Sequence, residues 1–243
     1  MILGLIPSRL NSRRLKKKPL LKIDGLPIIV HTLKRAQLSK RLDKVIVCTD
    51  SKEILKLVKD HGGEAVITSK KHRNGTERIQ EVAKKYKAKL IVDIQGDEPL
   101  IYPKDIDNVV NFHVQYKQFD IVLPHMKTKY SESNSVVKMA ISGNNVIYFS
   151  REKIPYNYKK IKNFNYFKDL SIVSFTPHAL SSFCKSKFGQ LERIEGIELM
   201  RALENDLKIG TFYLKGTAFS VDIKEDLLRA IDLMPRDKIR RLY

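Results

Sequence analysis

Residues 44–94 read KVIVCTDSKEILKLVKDHGGEAVITSKKHRNGTERIQEVAKKYKAKLIVDI, and the alternation within this stretch decides the fold class. Residues 44–49 (KVIVCT) are a short β-branched apolar run that reads as a buried strand. Ser51 is placed to cap a following helix whose Ile54, Leu55 and Val58 face inward, and Gly62-Gly63 stop it. Residues 64–68 read as the next strand. Residues 76–86 then take helical period through Ile79, Val82, Ala83 and Tyr86, and residues 89–94 (KLIVDI) return to strand. Strands alternating with helices at this spacing predict a mainly parallel, three-layer α/β sheet. Such sheets bind ligands at the carboxyl ends of their strands, so the loops leaving those ends are the first place to look for chemistry.

Outward from this stretch the pattern holds on the N-terminal side. Residues 1–6 form an apolar run ended by Pro7-Ser8, and a helix is expected from Pro27 with Ile28, Val30, Leu33 and Ala36 on its inner face. Beyond about residue 125 it changes. Residues 136–141 and 146–149 flank Ser142-Gly143-Asn144-Asn145, which predicts a hairpin. Residues 154–168 are aromatic and basic without clear period and are expected to be a loop or an excursion. Residues 190–205 predict one helix, 209–214 a strand and 223–233 a final helix before a basic tail. There is no internal repeat and no low-complexity linker.

The chain has 243 residues, 42% hydrophobic and 30% charged, enough for a full core and too apolar for a disordered polyelectrolyte. No apolar run approaches the roughly 18–20 residues of a membrane span. The opening MILGLIPSRL lacks a basic n-region and a cleavage site, so no signal peptide is expected. Cys48 and Cys184 are too few for a disulfide framework or a four-cysteine zinc site. A cytoplasmic protein is the expectation. The net charge of +19, from 46 Lys+Arg against 27 Asp+Glu, raises nucleic-acid binding as a rival class. The lysines are spread over polar helix faces, as in residues 53–59, and only residues 13–18 (RRLKKK) form a dense run. An anionic small molecule accounts for that run without a nucleic-acid partner.

Neither GxGxxG nor GxxxxGK[ST] occurs, no His/Cys spacing suits zinc, and no serine sits in a GxSxG elbow. Three segments carry chemistry instead. Residues 6–20 (IPSRLNSRRLKKKPL) place Arg9, Arg14 and Lys18 where a triphosphate needs charge neutralisation to bind and to release pyrophosphate. Residues 95–99 (QGDEP) put Asp97 at a strand's carboxyl end, either as a ligand for Mg²⁺ or as a plain acidic turn. Residues 74–78 (NGTER) run into a helix start, where Asn74 or Thr76 is also an ordinary cap. His31 reads as a packed or surface residue, and His61, His72, His113, His125 and His178 make no pair at ligand spacing. Cys48 is expected to be a small buried apolar residue.

In this order the three segments resemble the 3-deoxy-manno-octulosonate cytidylyltransferase (CMP-KDO synthetase) family of nucleotide-sugar cytidylyltransferases. The residue 6–20 loop is similar to the family's Pro-Ala-Arg … Arg-Leu-Pro-Gly-Lys-Pro-Leu. The likeness continues through Val47-Cys48-Thr49-Asp50, Gly75-Thr76-Glu77-Arg78, the QGDEP turn, residues 134–138, Tyr148-Phe149-Ser150-Arg151, Ile154-Pro155, Leu191-Glu192, Glu195, Glu198, Val221-Asp222 and Glu225-Asp226-Leu227, spanning about residues 2–232.

The resemblance implies a Rossmann-like three-layer sandwich of the nucleotide-diphospho-sugar transferase type with a small β-hairpin excursion. It implies one domain over 1–243, with a nucleotide-binding half at 1–125 and a sugar-binding and dimerisation half at 126–243. It implies transfer of CMP from CTP to an acidic 2-keto-3-deoxy sugar, most simply 3-deoxy-manno-octulosonate, for lipopolysaccharide or surface-glycan synthesis. In that chemistry Arg9, Arg14 and Lys18 hold the triphosphate; Gly75, Thr76, Arg78 and Gln95 complete the nucleotide site. Asp97 and Asp222 hold Mg²⁺, and Lys18, Arg14, Asp97 and Asp222 form the catalytic group. Arg151, Asp169, Glu195 and Glu198 face the sugar. A homodimer with neither nucleic-acid nor membrane partner goes with it, and the aromatic cluster Tyr156, Tyr158, Phe164, Tyr166 and Phe167 either builds the subunit contact or lines the sugar site.

Two departures stand out. The family's Pro-Gly ahead of the phosphate-loop lysine is Lys16-Lys17 here, which is expected to remove a tight turn. The family's His-x-Gly-x-Tyr sugar stretch corresponds to Asp169-Leu170-Ser171-Ile172-Val173. An amino-substituted octulosonate, whose cation would meet Asp169, and a nonulosonate are therefore alternative acceptors.

Overall fold

Strand β1 (Ile2–Ser8) sends Leu3 and Leu5 to one face of the sheet and Ile6 to the other, the two-residue period of a strand buried on both sides. The computed structural model describes residues 1–12, 14–215 and 219–243. The chain continues through a two-stranded ribbon, β2 (Lys22–Ile23) and β3 (Leu26–Pro27), into α1 (Ile28–Gln37), which starts at Pro27 as expected. Next come β4 (Lys44–Thr49), α2 (Lys52–Asp60), β5 (Glu64–Ile67), α3 (Gly75–Ala83), β6 (Leu90–Ile94) and α4 (Pro103–Gln115). Ser51 caps α2, accepting from the Ile54 amide at 3.3 Å. The second half holds β7 (Ile121–Val122), β8 (His125–Thr128), β9 (Lys138–Ser142), β10 (Asn145–Ser150), β11 (Tyr166–Asp169), β12 (Ile172–Phe175), α5 (Pro177–Lys185), α6 (Gln190–Glu195), α7 (Met200–Glu204), β13 (Ile209–Gly210) and α8 (Lys224–Leu233).

The strands form one 11-stranded sheet in the order β5-β4-β1-β6-β12-β7-β13-β10-β9-β11-β8. From β5 to β6 every pairing is parallel, as the alternating strand and helix pattern predicts. From β12 outward the pairings are antiparallel except β13 on β7. One face packs under α1, α2 and α4 around Ile29, Leu33, Ile54, Val92 and Ile106. The other packs under α3, α5 and α7 around Leu5, Ile79, Ile91, Phe175 and Met200. No helix is long and apolar enough to cross a membrane among the described residues.

Several expected elements come out differently. The helix foreseen over 190–205 is two, α6 and α7, parted at Gly196, whose φ of +61° is the left-handed conformation that ends a helix. The strand foreseen over 209–214 pairs only at Ile209–Gly210, with an isolated bridge from Tyr213 to His125. The loop foreseen over 154–168 ends inside β11, because Phe167 and Lys168 pair with Met139 and Lys138. Helices α4 and α5 and strand β12 have no counterpart in the sequence reading. Tyr156 and Tyr158 stand out in solvent, 83% and 81% exposed.

The carboxyl ends of β1 and β6 are drawn together at Gly96. A Cβ there would come within 2.8 Å of the Pro7 carbonyl oxygen, and the Thr32 hydroxyl donates to the Gly96 carbonyl at 3.3 Å. Gly96→Ala is therefore expected to lower stability by about 1–3 kcal/mol, the range for forcing atoms into a packed site, read from urea unfolding midpoints.

Candidate active site

Asp97 follows β6, and the Lys18 loop follows the adjacent parallel strand β1, so both emerge at the same edge of the sheet. The loop keeps its tight turn. The Lys18 amide donates to the Leu15 carbonyl at 3.2 Å across Lys16-Lys17, and Lys17 takes the left-handed conformation, φ 51° and ψ 34°. The expectation that Lys16-Lys17 removes the turn is thus overturned: a lysine accepts the backbone shape that a glycine would take at less cost. A single 3-10 turn, Lys18–Leu20 with Pro19 buried, then fixes where the Lys18 side chain leaves the loop.

The Lys18 ammonium lies 2.5 Å from Asp97 Oδ2 and 3.1 Å from Asp222 Oδ1, with its side chain only 13% exposed. Arg14 reaches the same Asp222 oxygen at 2.8 Å. Asp222 arrives from the far end of the chain by its own local logic. The Asp226 carboxylate accepts from the amides of Asp222 and Ile223 at 3.0 and 3.1 Å at the start of α8. The Val221 amide donates to the Asp97 carbonyl at 2.9 Å, so the two carboxylate-bearing segments are bonded backbone to backbone.

Two cavities meet at these carboxylates. One, of about 410 Å³, is lined by Arg9, Arg14, Lys18, Gly75 and Arg78. The other, of about 350 Å³, is lined by Thr76, Arg151, Asp169, Ser171 and Glu198. Gln95, Asp97 and Asp222 belong to both. Nearly all of the residues expected from the sequence are brought together here.

Two behave otherwise than a direct ligand contact. Arg78 is buried in the wall of the first cavity, but its guanidinium donates to Asp50 at 2.9 Å and Thr68 at 2.5 Å, bracing α3 against the end of β4. Glu195 lies behind the second cavity. Its carboxylate accepts from the Ser150 hydroxyl and the Arg151 amide at 3.0 and 3.1 Å, and its carbonyl accepts from Arg151 Nε at 3.1 Å. Asn74, not Thr76, caps α3, accepting from the Glu77 amide at 2.9 Å. Lys138, fully buried, donates to the carbonyls of Ser133 and Arg151 and so holds the Arg151 segment from beneath.

The donor chemistry fits a hard cation. Asp97 and Asp222 are part-exposed carboxylates turned onto one ammonium at a cavity wall, and Mg²⁺ takes one or two such oxygens and completes its shell with water and phosphate. Among the described residues no group of three or more His, Cys, Asp or Glu is arranged to hold a metal.

Two buried carboxylates were not assigned a role from the sequence. Asp93 is 2% exposed in the middle of β6 and is held well above the ordinary carboxylate range by burial, then by Glu198 and Asp97. Glu98 is 4% exposed, accepts from the Ser220 hydroxyl at 2.7 Å, and is pushed up to about 7, chiefly by burial. The signal for Asp93 was legible as a lone acid inside the apolar run KLIVDI.

Comparison with known proteins bears on what this geometry is for. The profile described as Cytidylyltransferase matches residues 3–209. A 3-deoxy-manno-octulosonate cytidylyltransferase of Fusobacterium nucleatum is 37% identical over 243 residues, covering 98% of each chain. An 8-amino-3,8-dideoxy-manno-octulosonate cytidylyltransferase of Shewanella putrefaciens is 35% identical, covering 93% of this chain and 95% of that protein. The solved structure of a CMP:2-keto-3-deoxy-manno-octonic acid synthetase complexed with CTP is similar at a TM-score of 0.92 and 29% identity, covering 97% of this chain and 98% of that one.

Glu98 gives a pH test. Its folded-state value near 7 lies above the unfolded 4.5, so the native state binds the extra proton and stability falls as pH rises from about 4.5 through 7. Glu98→Gln is expected to match the wild type near pH 4.5 and exceed it at pH 8 by up to about 3 kcal/mol, measured by urea unfolding at both pH values.

Proposed function

The chain belongs to the cytidylyltransferase family, and from that premise we propose that it transfers CMP from CTP to 3-deoxy-manno-octulosonate, releasing pyrophosphate. The observation that carries this reading is the pair of cavities sharing Asp97, Asp222 and Gln95. A nucleotide in the first and a sugar acid in the second would meet at the carboxylates, which is the arrangement that in-line displacement at the α-phosphorus requires.

Arg9, Arg14 and Lys18 neutralise the triphosphate, and the Gly75-Thr76 turn and Gln95 read the cytosine by hydrogen bonding. The anomeric hydroxyl oxygen of the sugar forms a bond to the α-phosphorus as the bond to the bridging α–β oxygen breaks. That electron pair leaves on pyrophosphate, stabilised by the loop cations, and the hydroxyl proton passes to solvent water. No covalent enzyme intermediate is needed. Lys18 balances the charge of Asp97 and Asp222, keeping two carboxylates side by side at the junction. Those carboxylates would hold Mg²⁺, which when bound supplies charge neutralisation at the α-phosphate and acidifies the attacking hydroxyl. Arg151, with its guanidinium oriented by the carbonyls of Asn134, Glu195 and Gly196, is the cation available to the acceptor's carboxylate. The exposed Tyr156 and Tyr158, outside both cavities, support reading the aromatic segment as a subunit contact.

Pyrophosphate release with CTP is expected to exceed that with UTP, ATP and GTP; equal use of all four would exclude this reading. Asp97→Asn and Asp222→Asn should each lower kcat by about 10²-fold or more with the fold intact. Near-normal turnover in either variant would make that carboxylate structural only. Lys18→Ala should weaken both CTP binding and kcat. Light scattering should give twice the chain mass, and Tyr156→Asp with Tyr158→Asp should shift it toward the monomer.

A further inference from the structure

Helix α8 follows directly on Asp222, yet it has little packing of its own: Ala230 is the only one of its residues that is buried. A helix held by so little apolar area does not fix a side chain at its start by packing alone. Its start is tied to the other carboxylate segment, the Val221 amide donating to the Asp97 carbonyl at 2.9 Å. Its far end runs through a 3-10 turn, Met234–Arg236, into Asp237, and there it meets α1.

His31 and Arg35 lie one turn apart on the same face of α1. Arg35, with no exposed surface, pairs with Asp237 and donates from Nε to the Tyr243 hydroxyl at 3.0 Å and from Nη1 to the Ile101 carbonyl at 3.3 Å. The Tyr243 hydroxyl accepts from Arg35, so its own proton is free for His31 Nδ1 at 2.9 Å. His31 Nε2 then donates to the Ile23 carbonyl at 2.7 Å, in the neutral form favoured by burial, which lowers its pKa. Arg35 thus touches both carboxylate-bearing segments. One continues from Asp97 to Ile101, whose amide donates to the Glu98 carbonyl at 3.2 Å; the other continues from Asp222 through α8 to Asp237. Leu100, Val221, Ala230 and Met234 pack with Ile23 and Ile28 between these ties.

We infer that, within the cytidylyl-transfer reading above, Arg35, Asp237 and Tyr243 are positioning residues for the reaction: they hold the far end of α8 on α1 and thereby set the Asp222 carboxylate against that of Asp97. A buried cation adds little stability over an apolar residue of like volume, but the planar donors of a guanidinium fix several partners at set angles. Displacing a reacting group by about 1 Å is enough to cost on the order of 10²-fold in turnover. Arg9 and Lys18 sit on the loop after β1, to which none of the three side chains is bonded among the described residues, so nucleotide binding is spared.

The test uses the full chain with Asp237→Ala and with Tyr243→Phe, which loses only the hydroxyl; circular dichroism checks that each is folded. Three quantities are read: CTP affinity without metal, Mn²⁺ affinity by electron paramagnetic resonance with CTP but no acceptor, and kcat for pyrophosphate release with CTP, 3-deoxy-manno-octulosonate and Mg²⁺. Asp237→Ala is expected to keep CTP affinity within about twofold, weaken Mn²⁺ about fivefold or more and lower kcat about tenfold or more. Tyr243→Phe should change the same two quantities in the same direction, each about threefold. Mn²⁺ affinity and kcat both near the wild type in folded Asp237→Ala overturn the inference. So does a loss of CTP affinity as large as the loss of kcat, which marks general loosening and not a shifted carboxylate. An effect of Asp237→Ala without one of Tyr243→Phe overturns the role of Tyr243. Should Asp237→Ala not fold, Tyr243→Phe decides by the same criteria. Wild-type protein that binds CTP but releases no pyrophosphate removes the cytidylyl-transfer reading and this inference with it, whereas the other results leave that reading in place.

Discussion

Two carboxylates held on one ammonium set the organisation of this molecule. Asp97 and Asp222 would repel each other at the junction of two cavities if nothing positive lay between them. Lys18 lies there, mostly withdrawn from solvent, and it can do so only because a tight turn and a 3-10 turn aim its side chain inward. Partial burial strengthens each attraction relative to a surface pair and makes removal of any one partner consequential. The loop after β1, the turn after β6 and the approach to α8 are arranged around this triangle.

Bringing Asp222 to Lys18 requires closing 204 residues of chain, so the C-terminal segment must be fastened independently. The fastening is a buried cluster on α1. Arg35, with no exposed surface, pairs with Asp237 and donates to the Tyr243 hydroxyl at 3.0 Å, and His31 shares that hydroxyl at 2.9 Å. Arg240 adds a bond to Asp24 at 2.7 Å. A small apolar cluster of Ile23, Ile28, Leu100, Val221, Ala230 and Met234 fills the space beneath. His31 is thus neither a catalyst nor a surface residue but part of the clasp that places a distant carboxylate.

The two halves of the sheet divide the chemistry. The parallel half delivers loops from β1, β5 and β6 to one edge, where cations gather, and the first cavity is correspondingly basic apart from the shared aspartates. The antiparallel half brings β10, β11 and β12 beside β6, and their side chains enclose an acidic cavity. Arg151 on the end of the β10 segment is kept in place by Lys138 and Glu195, which act through it and do not face the cavity with free groups.

From β4 to β6 the parallel half was readable element by element. β4 runs over the residues expected, Ser51 and Asn74 cap the helices that follow the expected loops, and the IPSR, NGTER and QGDEP segments converge where strand order says they must. Local periodicity suffices there because each strand is an apolar run and each helix has its own start and stop. The second half was not readable in the same way. β13 pairs over two residues, β11 emerges from a segment with no period, and Gly196 divides a helical run that composition alone joins. Those outcomes depend on partners far along the chain. So does the state of Asp93: the sequence by itself put an acid in a buried strand, but only the folding of β1 and β12 on either side, with Leu5 and Val173 in register, decided that it would line a cavity with Oδ2 held by Gln95 and Oδ1 buried without a partner. Charge, motif and strand period are local and survive in the sequence; solvent exclusion and pairing are properties of what folds against what, and only the tertiary structure contains them.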